Sequence, residues 1–465
     1  MHRLSDLTRL VSQPSPVHAV ELVALFVLVA VGARVAARIE ISKVVVVGIG
    51  LEVFSGNWKY IPLPLPVDRA LLALAAVLLL LRGTKWSQRR IVAQPVHFLL
   101  LGTAAYVLAN GLAAGTIDHS YGLYAWLDRL GVVPFVMYTL APVLFGTRRQ
   151  RNLLLVAMVV VGVYLGIEGL AEGVGVRALE LPGYIRDQAI GITAGRTRGP
   201  FLASDAMGIA LFDCGVFAAI ALTQWRRPAA RYICWAVITM AAAGIFFTLT
   251  RSVWLGAIIA IAAAMLWHPR LRRLIPATLA GGGVAVVALL LLVPGLSAKV
   301  HGRVSTTSSV WDRYNTNHAA IRALDAHPLF GLGWQTFASK GPDYLREAAH
   351  YPLSGVGLEV HNVFLSHFAE LGLFGGLLWA FALCAAVGGA IVRRGDPELW
   401  IWRVGLLALA LLFVTVANLG PLSYALPNVL LWLVAGIAAR DRNSTPRIGG
   451  TAVGGDQAAF ELVGS

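Results

Sequence analysis

The sequence is poor in charged residues and in cysteine. Of its 465 residues, 13% are charged and 57% are hydrophobic, whereas soluble domains have about 25% charged residues. This shortage of charge excludes a globular cytosolic enzyme and a disordered chain. The three cysteines, Cys214, Cys234 and Cys384, all lie inside apolar runs, so a secreted disulfide scaffold is excluded as well. The composition therefore predicts a protein that lies mostly in a membrane.

The sequence also lacks the motifs of several soluble enzymes. It contains no Asp-x-Asp pair, no phosphate-binding loop and no Gly-x-Ser-x-Gly turn. Their absence disfavours glycosyl transfer from soluble donors, ATP hydrolysis and serine hydrolysis. Histidines are concentrated between residues 294 and 361, but no two have the i, i+4 spacing of a helical zinc site. We therefore predict neither a metal nor a cofactor.

Apolar segments occupy most of the chain. A hydrocarbon core of ~30 Å needs ~20 mainly apolar residues per helix. Candidate segments lie at 17–37, 41–55, 67–82, 95–115, 123–146, 151–171, 203–223, 231–248, 252–267, 273–293, 362–392, 399–418 and 421–440. We expect the first to lie in the interface or to re-enter, which leaves about twelve spans. The predicted fold class is an all-α, polytopic transmembrane helix bundle.

Basic residues indicate which side of the membrane each connection faces. Clusters of Arg and Lys follow alternate segments and are predicted to be cytoplasmic: 82–90, 148–151, 226–231, 270–273 and 393–394. The long connections at 172–202 and 294–361 then lie outside. We predict an N-terminal transmembrane bundle (1–293), a partly helical extracytoplasmic loop (294–361), C-terminal transmembrane helices (362–440) and a disordered cytoplasmic tail (441–465).

Several arginines occur on the predicted outer side, where this charge rule predicts few, and three of them are candidates for binding a ligand. Arg198 and Arg313 lie in the two long outer connections, and Arg251 lies at a short outer turn. The planar guanidinium group is suited to binding phosphate oxygens, so an anionic ligand such as a lipid diphosphate would account for them. Alternatively, each arginine pairs with a nearby acidic residue.

His361 is the last residue of the second outer connection, directly before the apolar segment that begins at Asn362. This position predicts an imidazole at the outer membrane boundary, where a lipid headgroup would lie. A histidine titrates near neutral pH and can accept a proton from a hydroxyl nucleophile. The alternative is a histidine that only anchors the start of a helix.

Four stretches together resemble the superfamily of O-antigen ligases and polymerases, roughly over residues 195–385. The residues that carry the resemblance are His361, Asn362, Leu365, Glu370, Gly372 and Gly375; Pro328, Leu329, Gly331, Gly333 and Phe337; Arg198-Gly199-Pro200-Phe201; and Thr250-Arg251-Ser252. The first of these stretches is the most specific, and all four occur in the order that is typical of the family.

The resemblance implies a polytopic enzyme of the bacterial inner membrane with its active site on the outer face. Such enzymes transfer a glycan from undecaprenyl diphosphate to an acceptor hydroxyl, without metal or ATP. It implies His361 as general base, Arg198, Arg251 and Arg313 as ligands of the diphosphate, and Asn362 as a supporting residue. The expected partners are the lipid-linked glycan donor, a lipid A core or other glycan acceptor, and membrane lipid. No nucleic acid is expected.

The resemblance leaves the reaction within the superfamily open. A ligase transfers a finished polymer to a different acceptor, whereas a polymerase transfers a growing chain to another lipid-linked repeat unit. The long connection directly before His361 is similar to the ligase arrangement, which we favour over the polymerase. A protein-directed oligosaccharyltransferase and a transporter of lipid-linked sugars are further alternatives.

Glu370 lies about 180° round an ideal helix from His361, so we expect it to be structural.

Overall fold

The computed structural model describes residues 40–61, 66–81, 93–348, 350–422 and 424–440. The predicted segment 17–37, the basic cluster at 82–90 and the predicted tail at 441–465 lie outside these residues. The described part consists of helices and their connections, with one isolated β-bridge between Ala348 and Tyr351. The chain is an all-α, polytopic membrane protein, as the sequence predicts.

We number the α-helices in chain order. They are α1 (Ile41–Leu51), α2 (Val67–Leu81), α3 (Pro95–Ala113), α4 (Ser120–Ala125), α5 (Val132–Leu144), α6 (Arg148–Val174), α7 (Ser204–Gln224), α8 (Pro228–Phe247), α9 (Arg251–Trp267), α10 (Pro269–Arg272), α11 (Ile275–Leu292), α12 (Leu296–Ser305), α13 (Ser308–Ala326), α14 (Phe337–Lys340), α15 (Val363–Leu383), α16 (Gly389–Val392), α17 (Trp400–Ala417) and α18 (Ala425–Ala438).

Among the described residues, eight helical stretches are long and apolar enough to cross a membrane. They are Pro95–Ala113, Tyr121–Leu144, Arg148–Val174, Ser204–Gln224, Pro228–Phe247, Ile275–Leu292, Val363–Val392 and Pro397–Ala417, and each coincides with a predicted segment. The helices at the predicted segments 252–267 and 421–440 are apolar but shorter. Helices α1 and α2 have 11 and 15 residues, fewer than the ~20 that a full crossing needs. The number of twelve spans stays a prediction.

The chain divides into two compact units, and each is discontinuous in sequence. Of the described residues, the first contains 40–61, 66–81, 147–250 and 424–426, and the second contains 93–146, 251–348, 350–422 and 427–440. In the first unit, α7 packs against both α6 and α8. Glycines permit the close approach: a Cβ at Gly162 would lie 2.7 Å from a methyl of Val237. Small residues at such positions let membrane helices pack backbone to backbone.

In the second unit, α9 packs against α17, and α15 packs against α3 and α13. The connection between α11 and α15 contains three helices, α12, α13 and α14, so the prediction that residues 294–361 are partly helical is confirmed. One face of α13 is lined by Ala319, Ala320 and Ala323, which form a small core with Phe337 and Val360. This core holds α13 beside the start of α15.

Helix α15 is broken at Gly372, where the backbone has φ 70° and ψ −176°. The break exposes backbone groups that α15 cannot pair internally, and the segment that begins at Pro328 pairs with them. Leu332 N donates to Ala369 O at 2.9 Å, and Leu373 N donates to Pro328 O at 2.7 Å. A Cβ at Gly372 would overlap the carbonyl group of Leu329. The glycine is therefore required by both its positive φ and the close approach of a second chain segment.

Candidate active site

Arg313 lies on α13 and is half-buried. Its Nε donates to the carbonyl oxygen of Leu419, just after α17, at 2.8 Å. Among the described residues it has no salt bridge, and its two terminal nitrogens have no hydrogen-bond partner. The backbone carbonyl therefore orients the guanidinium group, and its terminal nitrogens can still donate to an anionic ligand.

Arg251 is the first residue of α9 and is also half-buried. Its Nη2 donates to Ser309 Oγ at 3.1 Å, and Ser309 lies one helical turn before Arg313 on α13. Arg251 has no salt bridge with any residue that the structure describes. The pKa of Arg313 is lowered, first by burial and then by the positive charge of Arg251, while Asp312 partly opposes this. The two arginines are thus close enough to repel each other, and a bound anion would relieve that repulsion.

His361 is half-buried and precedes the first turn of α15 by two residues. Burial lowers its pKa, and the positive charge of Arg313 lowers it further, while the carboxylates of Asp312 and Glu359 act in the opposite direction. A lowered pKa keeps the imidazole neutral at pH 7, the form that can accept a proton. Its Nδ1 is buried and has no hydrogen-bond partner in the described structure.

Asn362 fixes the backbone that carries His361. Its Oδ1 accepts a hydrogen bond from Leu365 N at 3.1 Å and so caps α15. Its Nδ2 donates to Oδ1 of Asn418 at 3.3 Å. Neither bond reaches the imidazole, so Asn362 positions His361 through the chain rather than by direct contact.

Asn418 and Leu419 belong to this site, although sequence reasoning did not select them. Asn418 contacts Asn362 through its amide, and Leu419 contacts Arg313 through its backbone carbonyl. A backbone carbonyl is present at every residue, so no sequence signal could have identified Leu419. For Asn418, the one available signal was its position as an asparagine at the end of an apolar segment.

Arg198 lies in the other compact unit and is completely buried, with 0% exposure. Its terminal nitrogens donate to the carbonyl oxygens of Ile185, Asp187 and Ile190, and its Nε lies 3.8 Å from Oε1 of Glu172. These contacts leave no face of the guanidinium group for a diphosphate. For Arg198 the structure thus agrees with the alternative interpretation of the sequence, in which the arginine pairs with an acidic residue, here Glu172.

The same Glu172 accepts hydrogen bonds through Oε2 from the backbone nitrogens of Arg198 and Gly199, at 2.8 and 2.9 Å. A carboxylate that binds two backbone nitrogens and faces a guanidinium group fixes the turn that leads into α7. The Arg-Gly-Pro-Phe stretch is explained as a structural element by these contacts.

Three other cationic residues in the connection before α15, Arg322, Lys340 and Arg346, donate to backbone carbonyl oxygens of that connection. Arg313 differs from them because its charge acts on His361 and is itself affected by Arg251. In the described residues, no group of three or more His, Cys, Asp or Glu side chains is arranged to hold a metal ion.

Glu370 is buried, with 4% exposure, and its Oε1 accepts from Phe337 N at 3.0 Å. The expectation that Glu370 is structural agrees with this bond, which ties α15 to the start of α14. Asn110 of α3 supports the same region, because its amide donates to Phe330 O at 3.0 Å and accepts from Trp334 N at 2.6 Å. The Pro-Leu-Phe-Gly-Leu-Gly stretch is therefore a docking segment that holds the start of α14 against α15.

Comparison with known proteins agrees with this geometry. Residues 235–380 match the family model described as O-antigen ligase, a range that includes Arg251, Arg313, His361 and Asn362 but not Arg198. The chain is also similar to the exopolysaccharide production protein ExoQ of Rhizobium meliloti (strain 1021), with 29% identity over 199 residues. That alignment covers 40% of this chain and 44% of the relative, so the chain matches less than half of the relative's length. The match confirms the predicted resemblance to the O-antigen ligase and polymerase superfamily over residues 235–380.

Proposed function

We propose that this protein is a membrane glycosyltransferase that moves a glycan from undecaprenyl diphosphate to an acceptor hydroxyl on the outer face of a bacterial inner membrane. In the ligase form of the reaction, the acceptor is a lipid A core sugar or another surface acceptor. The proposal rests mainly on one observation: Arg313, which has no salt bridge among the described residues, is close enough to both Arg251 and the half-buried His361 to affect their electrostatics.

The chemistry follows from these three side chains. His361 removes the proton of the acceptor hydroxyl as its oxygen attacks the anomeric carbon. The bond between that carbon and the diphosphate oxygen breaks, and its electron pair leaves with the diphosphate. Attack opposite the leaving group inverts the anomeric centre. Arg251 and Arg313 stabilise the charge that develops on the diphosphate, the kind of electrostatic contribution that is often the largest in catalysis. They supply the positive charge that a divalent cation provides in other enzymes.

The burial of Arg198 changes its part in the proposal. We assign it to the turn before α7, where it acts as a structural residue, and assign the diphosphate to Arg251 and Arg313 alone. This assignment also agrees with the matched family range, which begins after Arg198.

A polymerase of the same superfamily is the second candidate. The similarity to a relative named an exopolysaccharide production protein favours it, because such a polymer grows by transfer to another lipid-linked unit. The arginines and the base would act in the same way, and only the acceptor would differ.

Reconstitution tests both candidates. The purified protein in proteoliposomes would receive synthetic undecaprenyl-diphosphate glycan in EDTA, with a lipid A core acceptor added or withheld. Glycan on the core acceptor alone would support the ligase, and longer chains on undecaprenyl diphosphate would support the polymerase. His361→Ala should abolish transfer, whereas His301→Ala, which removes an exposed histidine of α12, should not. Wild-type transfer by His361→Ala would reject the general-base role, and lipid movement between leaflets without transfer would indicate a transporter.

A further inference from the structure

Three aromatic side chains are in mutual contact on the connection before α15. The ring centroids of Trp311 and Tyr351 lie 5.9 Å apart with an interplanar angle of 8°, and Tyr314 lies 5.6 Å from Tyr351 and 6.2 Å from Trp311. The hydroxyl of Tyr351 is hydrogen-bonded to Nδ1 of His318 at 3.0 Å. Tyr314 is 48% exposed. We call Trp311, Tyr314 and Tyr351 the aromatic platform.

The platform lies on the exposed face of α13. Trp311, Tyr314 and His318 are three and four residues apart, which places them on one side of a helix. The opposite side of α13 is buried through Ala319 and Ala323. A platform on the exposed face is open to a ligand.

Arg313 lies about 100° round α13 from Tyr314 and about 160° round it from Trp311, at ~100° per residue. Asn317 is the surface neighbour of Arg313 at i+4 and of Tyr314 at i+3, so it joins the two. Its Oδ1 is buried and has no hydrogen-bond partner among the described residues. The distance across a helix with its side chains is about 10 Å, so a short run of sugars could extend from the diphosphate at Arg313 to the platform.

Aromatic faces with polar neighbours suit a sugar ring. The apolar C–H face of a pyranose packs on the negative face of an aromatic ring, and its hydroxyl groups then need polar partners at the edge. The exposed His318 provides such a partner beside Tyr314. A membrane surface is the other partner that exposed Trp and Tyr side chains can meet. However, α13 contains no long apolar run, and the Tyr351 hydroxyl is already hydrogen-bonded within the protein, which favours the sugar.

We propose that the aromatic platform is a glycan-binding subsite, which holds sugars of the transferred or accepting chain close to Arg313 and His361. The inference rests on the proposed function for the identity of the chain that it binds. It explains how an enzyme with a small reactive centre could hold a long polymer. Affinity comes from the stacking of sugars on aromatic rings, whereas Arg251, Arg313 and His361 act only at the reacting end of the chain.

Binding and transfer would be measured separately. Binding uses the full-length protein with His361→Ala in nanodiscs and, as the probe, the lipid-free oligosaccharide released by mild acid from the surface polysaccharide of the source strain. Saturation-transfer NMR should show that Tyr314→Ala weakens binding by about 2- to 10-fold, the range for loss of one aromatic stack. Tyr314→Phe should bind as well as the parent. Ile321→Ala, which removes an exposed aliphatic side chain from the same helix, is the matched control.

Transfer uses the active protein with long and short acceptors. Tyr314→Ala should raise KM for the long acceptor by a similar factor and leave kcat and the short acceptor unchanged. Unchanged oligosaccharide binding in both Tyr314→Ala and Trp311→Ala would overturn the proposal. So would a loss of activity confined to nanodiscs and absent in detergent, which would assign the face to lipid. If no variant transfers glycan but binding still depends on Tyr314, the subsite stands and the proposed function fails.

Discussion

Replacement of Arg313 by glutamine tests two proposed roles together: diphosphate binding by Arg313 and proton acceptance by His361. In the structure the Nε of Arg313 is anchored to Leu419 O, which leaves two terminal nitrogens for the diphosphate. Hydrogen bonds to a charged group contribute about 1.5–3 kcal/mol each, so two of them are worth about 3–6 kcal/mol. Since 1.36 kcal/mol is tenfold in rate, Arg313→Gln should lower kcat/KM by about 10²- to 10⁴-fold.

The same change should move the pH dependence. Transfer requires a neutral His361, so activity falls as pH drops through the pKa of His361. The positive charge of Arg313 lowers that pKa, and its removal must raise it. The acidic limb of the pH profile for kcat/KM should therefore shift to higher pH in Arg313→Gln. Arg313→Lys keeps the charge, so its acidic limb should stay near that of the wild type even though its fork of donors is lost.

The assay is steady-state transfer in proteoliposomes with synthetic undecaprenyl-diphosphate glycan, measured from pH 5 to 8 for the wild type and both variants. An acidic limb at the same pH in Arg313→Gln as in the wild type would refute the electrostatic link between Arg313 and His361. Activity of Arg313→Gln within a factor of about three of the wild type would refute the proposal that Arg313 binds the diphosphate.

Three further changes separate structural residues from residues that act on substrate. Gly372→Ala should destabilise the protein by about 2–4 kcal/mol, from positive φ and overlap with a carbonyl, whereas Gly388→Ala, with open space for a Cβ, should leave the melting temperature in detergent unchanged. Arg198→Ala should lower the free energy of unfolding by about 3–5 kcal/mol, and with it the folded yield, because it leaves a buried carboxylate unpaired. The folded fraction should keep its KM for the donor. An increased donor KM at normal stability would restore Arg198 to the diphosphate site. Asn362→Ala should lose about 1 kcal/mol of helix capping and some kcat, and Asn362→Asp should retain the cap; equal kcat in Asn362→Ala and wild type would show that the cap does not position His361.

The sequence predicted the helical membrane architecture well because hydropathy and length decide it. Segments such as 151–171 and 203–223 are long and apolar, and the structure has them as α6 and α7. The short α1 shows the limit of this approach. An apolar stretch indicates that burial is favourable. The length of the helix also depends on where it is interrupted, and α1 is followed directly by the short 3₁₀ turn Glu52–Phe54.

The candidate site was predictable in its residue types and less so in their partners. Arg198 and Arg313 both lie in connections that are predicted to be outside, and nothing in the sequence distinguishes them. In the structure a carboxylate, Glu172, lies 26 residues before Arg198 and meets it in three dimensions, whereas Asp312, adjacent to Arg313 in sequence, forms no salt bridge with it. Proximity in sequence therefore does not predict which arginine is neutralised, because the fold decides which carboxylate can reach the guanidinium group.

The way in which Arg313 is held explains how a cationic site can be both ordered and reactive. A salt bridge would fix the guanidinium group, but it would cancel the charge that the leaving diphosphate needs. A backbone carbonyl fixes one nitrogen by a single hydrogen bond and leaves the full charge in place. Ser309 does the same for Arg251 through a neutral hydroxyl. Both arginines are thus oriented by neutral acceptors. The positive charge of Arg313 then stays close to His361 and helps to lower its pKa, which favours the neutral imidazole that the proposed mechanism requires.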